Sequence, residues 1–144
     1  MKTLNRILSF AFAAMLFSAC GTTPTPAFES DYPYSPQPGD SDMRRDEVTI
    51  DSASLMLAES EPIQVTLNFA YFQPTPCHQL RVEVSMPDSQ NHINLKAYAL
   101  TERDKACTLM ALATPLDASL NLGTFPKGHY SVWLNDAMVG EFDS

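Results

Sequence analysis

Residues 63–71, IQVTLNFAY, alternate large apolar side chains with polar or small ones over nine positions. Successive side chains of a β-strand point to opposite sides of the sheet, so a period of two predicts a strand with one buried face. Val65, Leu67 and Phe69 would then point into a core, and Thr66 and Asn68 would point away from it. The stretch therefore predicts that the chain builds a β-sheet domain.

The same alternation recurs on both sides of this stretch. The further runs are EVTIDSASLML (47–57, with a bend expected near Ser52), LRVEVSM (80–86), INLKAYAL (93–100), LDASLNL (116–122), HYSVWL (129–134) and MVGEF (138–142). The segments between them, such as PDSQN, ERDKA, FPKG and ND, are rich in turn-forming residues. Seven or eight short strands within residues 48–144 predict an all-β domain, an immunoglobulin-like antiparallel β-sandwich.

The run LNLGTFPKGHYSV resembles the corner before the sixth strand of immunoglobulin-type and fibronectin-type domains. In that corner a Tyr follows a Gly by two residues and its hydroxyl bonds back to the chain, which here implies Gly128 and Tyr130. The cysteines depart from the antibody pattern, because Cys77 and Cys107 do not fall on the second and sixth predicted strands. Trp133 falls on the face opposite Tyr130, as an edge or surface aromatic.

Residues 1–19 predict a lipoprotein signal peptide. Lys2 and Arg6 precede a run of about thirteen apolar residues, which is short of the roughly 20 that span a bilayer. The following Ser18, Ala19 and Cys20 resemble the lipobox of bacterial lipoproteins. The resemblance implies cleavage before Cys20, a lipid on Cys20, and a protein held on a membrane of the bacterial cell envelope, facing the periplasm or the exterior. An ordinary secretory leader and a signal-anchor helix are the alternatives.

Residues 20–47 predict a disordered tether between the lipid and the domain. Residues 21–47 contain five prolines and six acidic residues and have no apolar periodicity. Such a segment buries too little apolar surface to offset its ordering entropy, and as a coil it would span on the order of 30 Å. The folded domain is therefore predicted to occupy residues 48–144.

The charge of the chain argues against nucleic acid as a partner. Removal of residues 1–19 leaves seven basic against seventeen acidic residues, a net charge of about −10. Phosphate backbones and anionic headgroups repel such a protein. Membrane attachment is therefore expected to come from the lipid.

Cys77 and Cys107 are predicted to form a disulfide. A secreted location favours disulfides, and the two cysteines remain as an even pair after lipid takes Cys20. A nucleophile–base pair or a metal site at Cys77 and His78, with His92 or His129, stays open as an alternative. A copper site from His and Met residues is a further alternative, although Met56, Met86, Met110 and Met138 lie in strand-like runs and are expected to pack.

The sequence contains no GxSxG, HExxH or P-loop motif. The runs PTPCHQLRVEV, INLKAYAL, ACTLM, LGTFPKGHYSVWLN and VGEF resemble a group of small bacterial lipoproteins with one β-sandwich. That resemblance covers roughly residues 48–142 and implies a fold and a location but no activity.

The predicted function is therefore a non-enzymatic binding or structural module of the envelope, without cofactor or metal. Its partner is expected to be an envelope protein or polymer. The candidate binding loops are QPTPCH and TFPKGH, with Pro74, His78, Phe125, Lys127 and His129. A protease inhibitor of immunoglobulin-like fold that presents Lys127 is the alternative, followed by a metal-binding or redox protein.

Overall fold

The computed structural model describes residues 32–107 and 114–144. The strands are β1 (Arg44–Glu47), β2 (Thr49–Ala58), β3 (Gln64–Phe72), β4 (Gln79–Val84), β5 (His92–Thr101), β6 (Leu116–Thr124), β7 (His129–Leu134) and β8 (Ala137–Asp143), with one turn of 3₁₀ helix at Asp40–Asp42. The prediction of an all-β sandwich with seven or eight strands is confirmed. Across the described ranges, no helix is long and apolar enough to cross a bilayer.

The strands form two sheets that enclose one core. The smaller sheet has the order β2-β3-β6, and all of its pairs are antiparallel. In the larger sheet β5 pairs with β4 along one edge and with both β1 and β7 along the other, and β8 lies outside β7. The bend expected near Ser52 is a bulge in β2, where the pairing shifts between Ile50 and Ser52.

The alternation read from residues 63–71 is realised in the core. Val65 and Leu67 on β3 are completely buried, as are Ile93 on β5 and Val132 on β7. Between them, Gln64 is exposed and Thr66 and Asn68 are half-buried. Burying this apolar face is the main favourable contribution to folding, at about 25 cal/mol per Å² of apolar surface.

One pair of strands differs from the antiparallel expectation. β5 and β7 run parallel, with His92 opposite Ser131 and Leu95 opposite Leu134. The chain crosses to the other sheet as β6 before it returns as β7, so no tight hairpin forces the two strands to be antiparallel.

The Asn135 side chain continues this parallel pairing beyond the end of β7. Its amide nitrogen donates to the Ala97 carbonyl at 3.1 Å, and its Oδ1 accepts from the Ala97 N–H at 2.8 Å. Asn135 and Asp136 both have positive φ, as the two-residue turn between β7 and β8 requires.

Residues 32–47 correct the predicted tether, because they belong to the folded domain. The Val82 N–H donates to the Tyr34 carbonyl at 2.8 Å, and the Tyr32 hydroxyl donates to the Val82 carbonyl at 2.7 Å. Residues 44–47 form β1, and Asp40 makes an ion pair with Arg81 at 2.8 Å. These hydrogen bonds, the ion pair and the strand pairing offset the entropy lost when residues 32–47 become ordered. The composition of the segment does not reveal such contacts.

Several predictions fall on residues outside the described ranges. The leader (1–19), Cys20 and the first part of the tether (20–31) lie there, and so does Met110. They remain predictions.

The expectation that the strand methionines pack in the core is wrong for the three that the structure describes. Met56, Met86 and Met138 are 62%, 53% and 55% exposed. Met56 follows Leu55, which packs against the core, so by the alternation of the strand it points to the outer face. Met138 lies opposite Trp133, whose indole N–H donates to the Ser131 hydroxyl at 3.1 Å.

Candidate functional site

A cleft of about 540 Å³ opens at one end of the sandwich. Residues 60–63, between β2 and β3, form one wall, and residues 124–127, at the end of β6 and directly after it, form the other. The two walls are neighbours because Gln64 at the start of β3 pairs with Thr124 at the end of β6. The cleft is lined by Ser60, Glu61, Pro62, Ile63, Thr124, Phe125, Pro126, Lys127 and Ser144.

The wall formed by residues 124–127 is held by hydrogen bonds at successive backbone groups. The Tyr130 hydroxyl donates to the Pro126 carbonyl at 3.1 Å, and the Ser144 hydroxyl donates to the Phe125 carbonyl at 2.7 Å. Gly128 and Ser144 exchange both of their backbone bonds, at 3.1 and 2.9 Å. The bond predicted for Tyr130 from the corner resemblance is therefore confirmed.

Gly128 packs closely against the Tyr130 ring at this corner. A Cβ at this position would lie 3.3 Å from Cε2 of the Tyr130 ring, closer than an ordinary van der Waals contact. The Gly-x-Tyr spacing thus lets the ring lie against the backbone while its hydroxyl reaches Pro126.

Phe125 forms the floor of the cleft and belongs to the core. It is 3% exposed, and its ring centroid lies 5.1 Å from that of Tyr130 and 5.2 Å from that of Phe142. The prediction that it is a surface contact is corrected, because three aromatic rings bury one another here. Lys127 is exposed at the edge of the same cleft.

His129 is exposed at the start of β7 and faces two carboxylates. Its Nδ1 lies 2.9 Å from Asp143 Oδ1, and its Nε2 lies 3.6 Å from Glu141 Oε2. The hydrogen bond with Asp143 raises the pKa of His129, and the negative charge of Glu141 acts in the same direction. His129 neighbours the loop without lining the cleft.

The second predicted loop, residues 73–78, lies at the other end of β3 and folds onto itself. Gln73 is buried, and its amide donates to the carbonyls of Thr75 at 2.8 Å and His78 at 2.7 Å. Cys77 and Cys107 form the predicted disulfide, with Cα atoms 6.0 Å apart. The alternative of a free Cys77 nucleophile is therefore wrong.

The prediction that His78 contacts a partner is also corrected, because its side chain is only 3% exposed. Its Nδ1 lies 2.8 Å from the Thr75 hydroxyl, and its Nε2 lies 2.9 Å from Asp46 Oδ2. The hydrogen bond from His78, with a further one from Arg44, lowers the pKa of Asp46. This network joins the loop to β1. Pro74, half-buried in the same loop, is far from the cleft along β3.

The other wall of the cleft was not predicted from the sequence. Glu61, Pro62 and Ile63 come directly before the most regular strand, and the Glu61–Pro62 peptide bond is cis. A Ser–Glu–Pro run at the start of a strand was the available signal. That signal predicts a turn, and only the pairing of β3 with β6 places the turn beside Lys127.

Arg45 and Tyr98 form a second unpredicted feature, on the outer face of the larger sheet. The Arg45 guanidinium lies 3.4 Å from the centre of the Tyr98 ring and 3.1 Å from Glu83 Oε1. Burial, followed by the hydrogen bond with Glu83, raises the pKa of Tyr98 to about 12. Because the arginine covers the ring, the tyrosine face is already occupied.

No group of three or more His, Cys, Asp and Glu side chains in residues 32–107 and 114–144 is arranged to hold a metal ion.

The family of the chain follows from its sequence together with this fold. The sequence model of the ORF11 beta-sandwich domain matches residues 64–144, from β3 to β8. The chain belongs to the ORF11 beta-sandwich domain family. The match covers the Lys127 wall of the cleft and starts after Ile63, the last residue of the other wall. No curated protein and no solved structure matches the chain.

Proposed function

We propose that the protein is a lipid-anchored lipoprotein of the bacterial cell envelope that acts as a non-enzymatic binding or structural module. The anchor is Cys20, on the basis of the lipobox formed by Ser18, Ala19 and Cys20. The contact site is the cleft between residues 60–63 and 124–127, and its occupant is part of an envelope protein or polymer.

The observation that carries this proposal is the shape and chemistry of the cleft. Binding sites are concave, mostly apolar and largely preformed, with a few polar groups that set orientation. Here Pro62, Ile63 and Pro126 supply apolar surface, and Lys127 and Glu61 supply one charge of each sign. The hydrogen bonds of Tyr130 and Ser144 fix the wall before any ligand arrives, which reduces the entropy lost on binding.

A photo-crosslinking experiment in intact cells tests the contact site. A photoreactive residue replaces Lys127 in the full chain, and a matched chain carries it at Lys96, which is exposed on β5. We expect one dominant cross-linked product from position 127 that is absent from position 96. Identical products from both positions, or none from position 127, would overturn the assignment of the cleft.

The anchor is tested separately, through Cys20→Ala. The wild-type chain is expected in the membrane fraction. Its intact mass should equal that of a chain beginning at Cys20 plus the mass of the acyl groups. Cys20→Ala should leave the protein soluble or unprocessed. A wild-type mass without acyl chains would refute the anchor and leave the cleft result unaffected.

A protease inhibitor is the second candidate, and the fixed loop around Lys127 is the observation that favours it. The carbonyls of Phe125 and Pro126 and both backbone groups of Gly128 are hydrogen-bonded, so Lys127 is presented on a rigid segment. A stoichiometric titration of trypsin-like proteases, which cleave after basic residues, tests this function. Lys127→Ala should abolish inhibition, and an unchanged protease activity at molar excess of wild-type protein would exclude that class.

A further inference from the structure

The free edge of β2 differs from the other sheet edges that the structure describes. Sheet edges are normally covered, bulged or charged, because unpaired N–H and C=O groups invite another strand. Residues 32–34 cover the β4 edge, through the bonds of Tyr32 and Tyr34 with Val82. β8 contains a bulge at Val139 and the acidic residues Glu141 and Asp143.

β6 and the first half of β2 are protected in the same way. β6 contains a bulge at Leu122 and carries Asp117, and β2 contains a bulge at Asp51. Residues 52–58 of β2, SASLMLA, follow that bulge in unbroken register with β3. They contain no charge and no proline, and β2 is an edge strand among the described residues.

This uncharged half also exposes apolar side chains. Met56 is 62% exposed and Leu57 is 47% exposed. The full chain has a net charge of −8, so two copies repel each other over most of their surfaces. Residues 52–58 carry no charge, so two copies can approach each other there without bringing like charges together.

The order of residues in this half is complementary to itself. In an antiparallel pair of two β2 strands with Leu55 on a twofold axis, Met56 faces Ser54 of the other copy and Leu57 faces Ala53. Met56 and Leu57 then each meet a small side chain, Leu55 meets Leu55 of the other copy, and positions 53, 55 and 57 stay on one face in both copies. Asp51 and Glu59 oppose each other at the ends, so the pairing is limited to the seven uncharged residues.

We propose that β2 pairs with β2 of a second copy of this chain, antiparallel and with Leu55 on the twofold axis, to join two three-stranded sheets into one of six. A C₂ contact of this kind uses the same surface on both copies. The proposal does not depend on the cleft or on the lipid.

Cysteine cross-linking in the full chain tests the register. Side chains directly opposite each other have Cβ atoms about 5 Å apart, whereas diagonal neighbours are about 7–8 Å apart. Leu55→Cys should therefore give a disulfide-linked dimer under mild oxidation, at least fivefold more than Ser54→Cys or Met56→Cys. Equal yields of disulfide-linked dimer from all three variants would overturn the register. A disulfide-linked dimer formed equally well by the unsubstituted chain would overturn it too.

Sedimentation of the full chain in detergent tests the surface without relying on Leu55, which packs against the core. The variant Met56→Lys/Leu57→Lys should weaken dimerisation at least tenfold. The matched control is Met86→Lys/Met138→Lys, which places the same charges at methionines outside β2. An equal effect of both variants, or a wild-type chain that stays monomeric at every concentration, would refute the proposal; a partner strand from a different protein would give that second result.

Discussion

The two loops that the sequence singles out, residues 73–78 and 124–129, have opposite organisation. In 73–78 the buried Gln73 amide donates to the backbone carbonyls of Thr75 and His78. The Thr75 hydroxyl bonds to the His78 ring, which also reaches Asp46. In 124–129 the backbone is tied down by Tyr130 and Ser144, and the Lys127 side chain is left exposed. The polar side chains of the first loop therefore stabilise the fold. In the second loop the backbone is fixed and the side chain of Lys127 remains accessible to a partner.

The difference shows that residue type is a weak guide to a binding loop. Cysteine and histidine look chemically active in a sequence, yet here the disulfide and a buried imidazole stabilise the domain. A buried polar group costs free energy unless it has partners, so a loop that buries several polar groups must bond them to each other. What marks the second loop is the exposed cleft beside it.

The largest effect on stability should come from removing the disulfide between Cys77 and Cys107. Cys77→Ser/Cys107→Ser opens a loop with a sequence separation of 30 residues. Chain entropy predicts a loss of about 3.6 kcal/mol in the free energy of unfolding. Urea unfolding checks this value, with reduced wild-type protein as the control. A loss below about 1 kcal/mol would mean that the unfolded state is already restricted.

A smaller effect is expected from loosening the second loop. Tyr130→Phe removes the bond to the Pro126 carbonyl and should lower the free energy of unfolding by about 1 kcal/mol. It should also reduce cross-linking from position 127. Tyr32→Phe is the matched control, because it removes a hydroxyl bond to Val82 far from the cleft. Equal cross-linking from position 127 in both variants would show that the Tyr130 hydrogen bond does not affect binding at the cleft.

The smallest effect should appear at acid pH, in the network of the first loop. The hydrogen bond from His78 lowers the pKa of Asp46 in the folded state, so the carboxylate stabilises the fold. This stabilisation is complete above the unfolded pKa of about 3.9 and is lost as the pH falls through the lower, folded pKa. Asp46→Asn should cost only about 0.5 kcal/mol at pH 7, because solvent screens a carboxylate that is 31% exposed.

Urea midpoints measured from pH 7 to pH 2 check this prediction. The Asp46→Asn variant should lose less stability on acidification than the wild type. The wild-type loss also includes Asp40, whose pKa is lowered by its hydrogen bonds with Arg81 and Gln37, so only the difference between the two chains reports Asp46. Parallel pH curves would show that the bond with His78 does not depend on charge.

A second contrast concerns residues 32–47 and residues 63–71. The alternation in 63–71 predicts its strand and its buried face from local pattern alone, and the structure agrees. Residues 32–47 show no such pattern, because their contacts are individual: a tyrosine hydroxyl on Val82, Asp40 on Arg81, and four residues paired with β5. Contacts of that kind are invisible until the partner strands are in place.

The sequence by itself determined the all-β class, most strand positions, the bend near Ser52 and the Gly128–Tyr130 corner, because each depends on alternation or on a short fixed spacing. It also predicted the disulfide, because Cys77 and Cys107 remain as an even pair. Only the tertiary structure decided that β5 and β7 run parallel, that His78 and Phe125 are buried, and that Pro62 lies beside Lys127. These features depend on which strands become neighbours across the sheets. That choice is made by burial of the whole core at once, and a local pattern does not contain it.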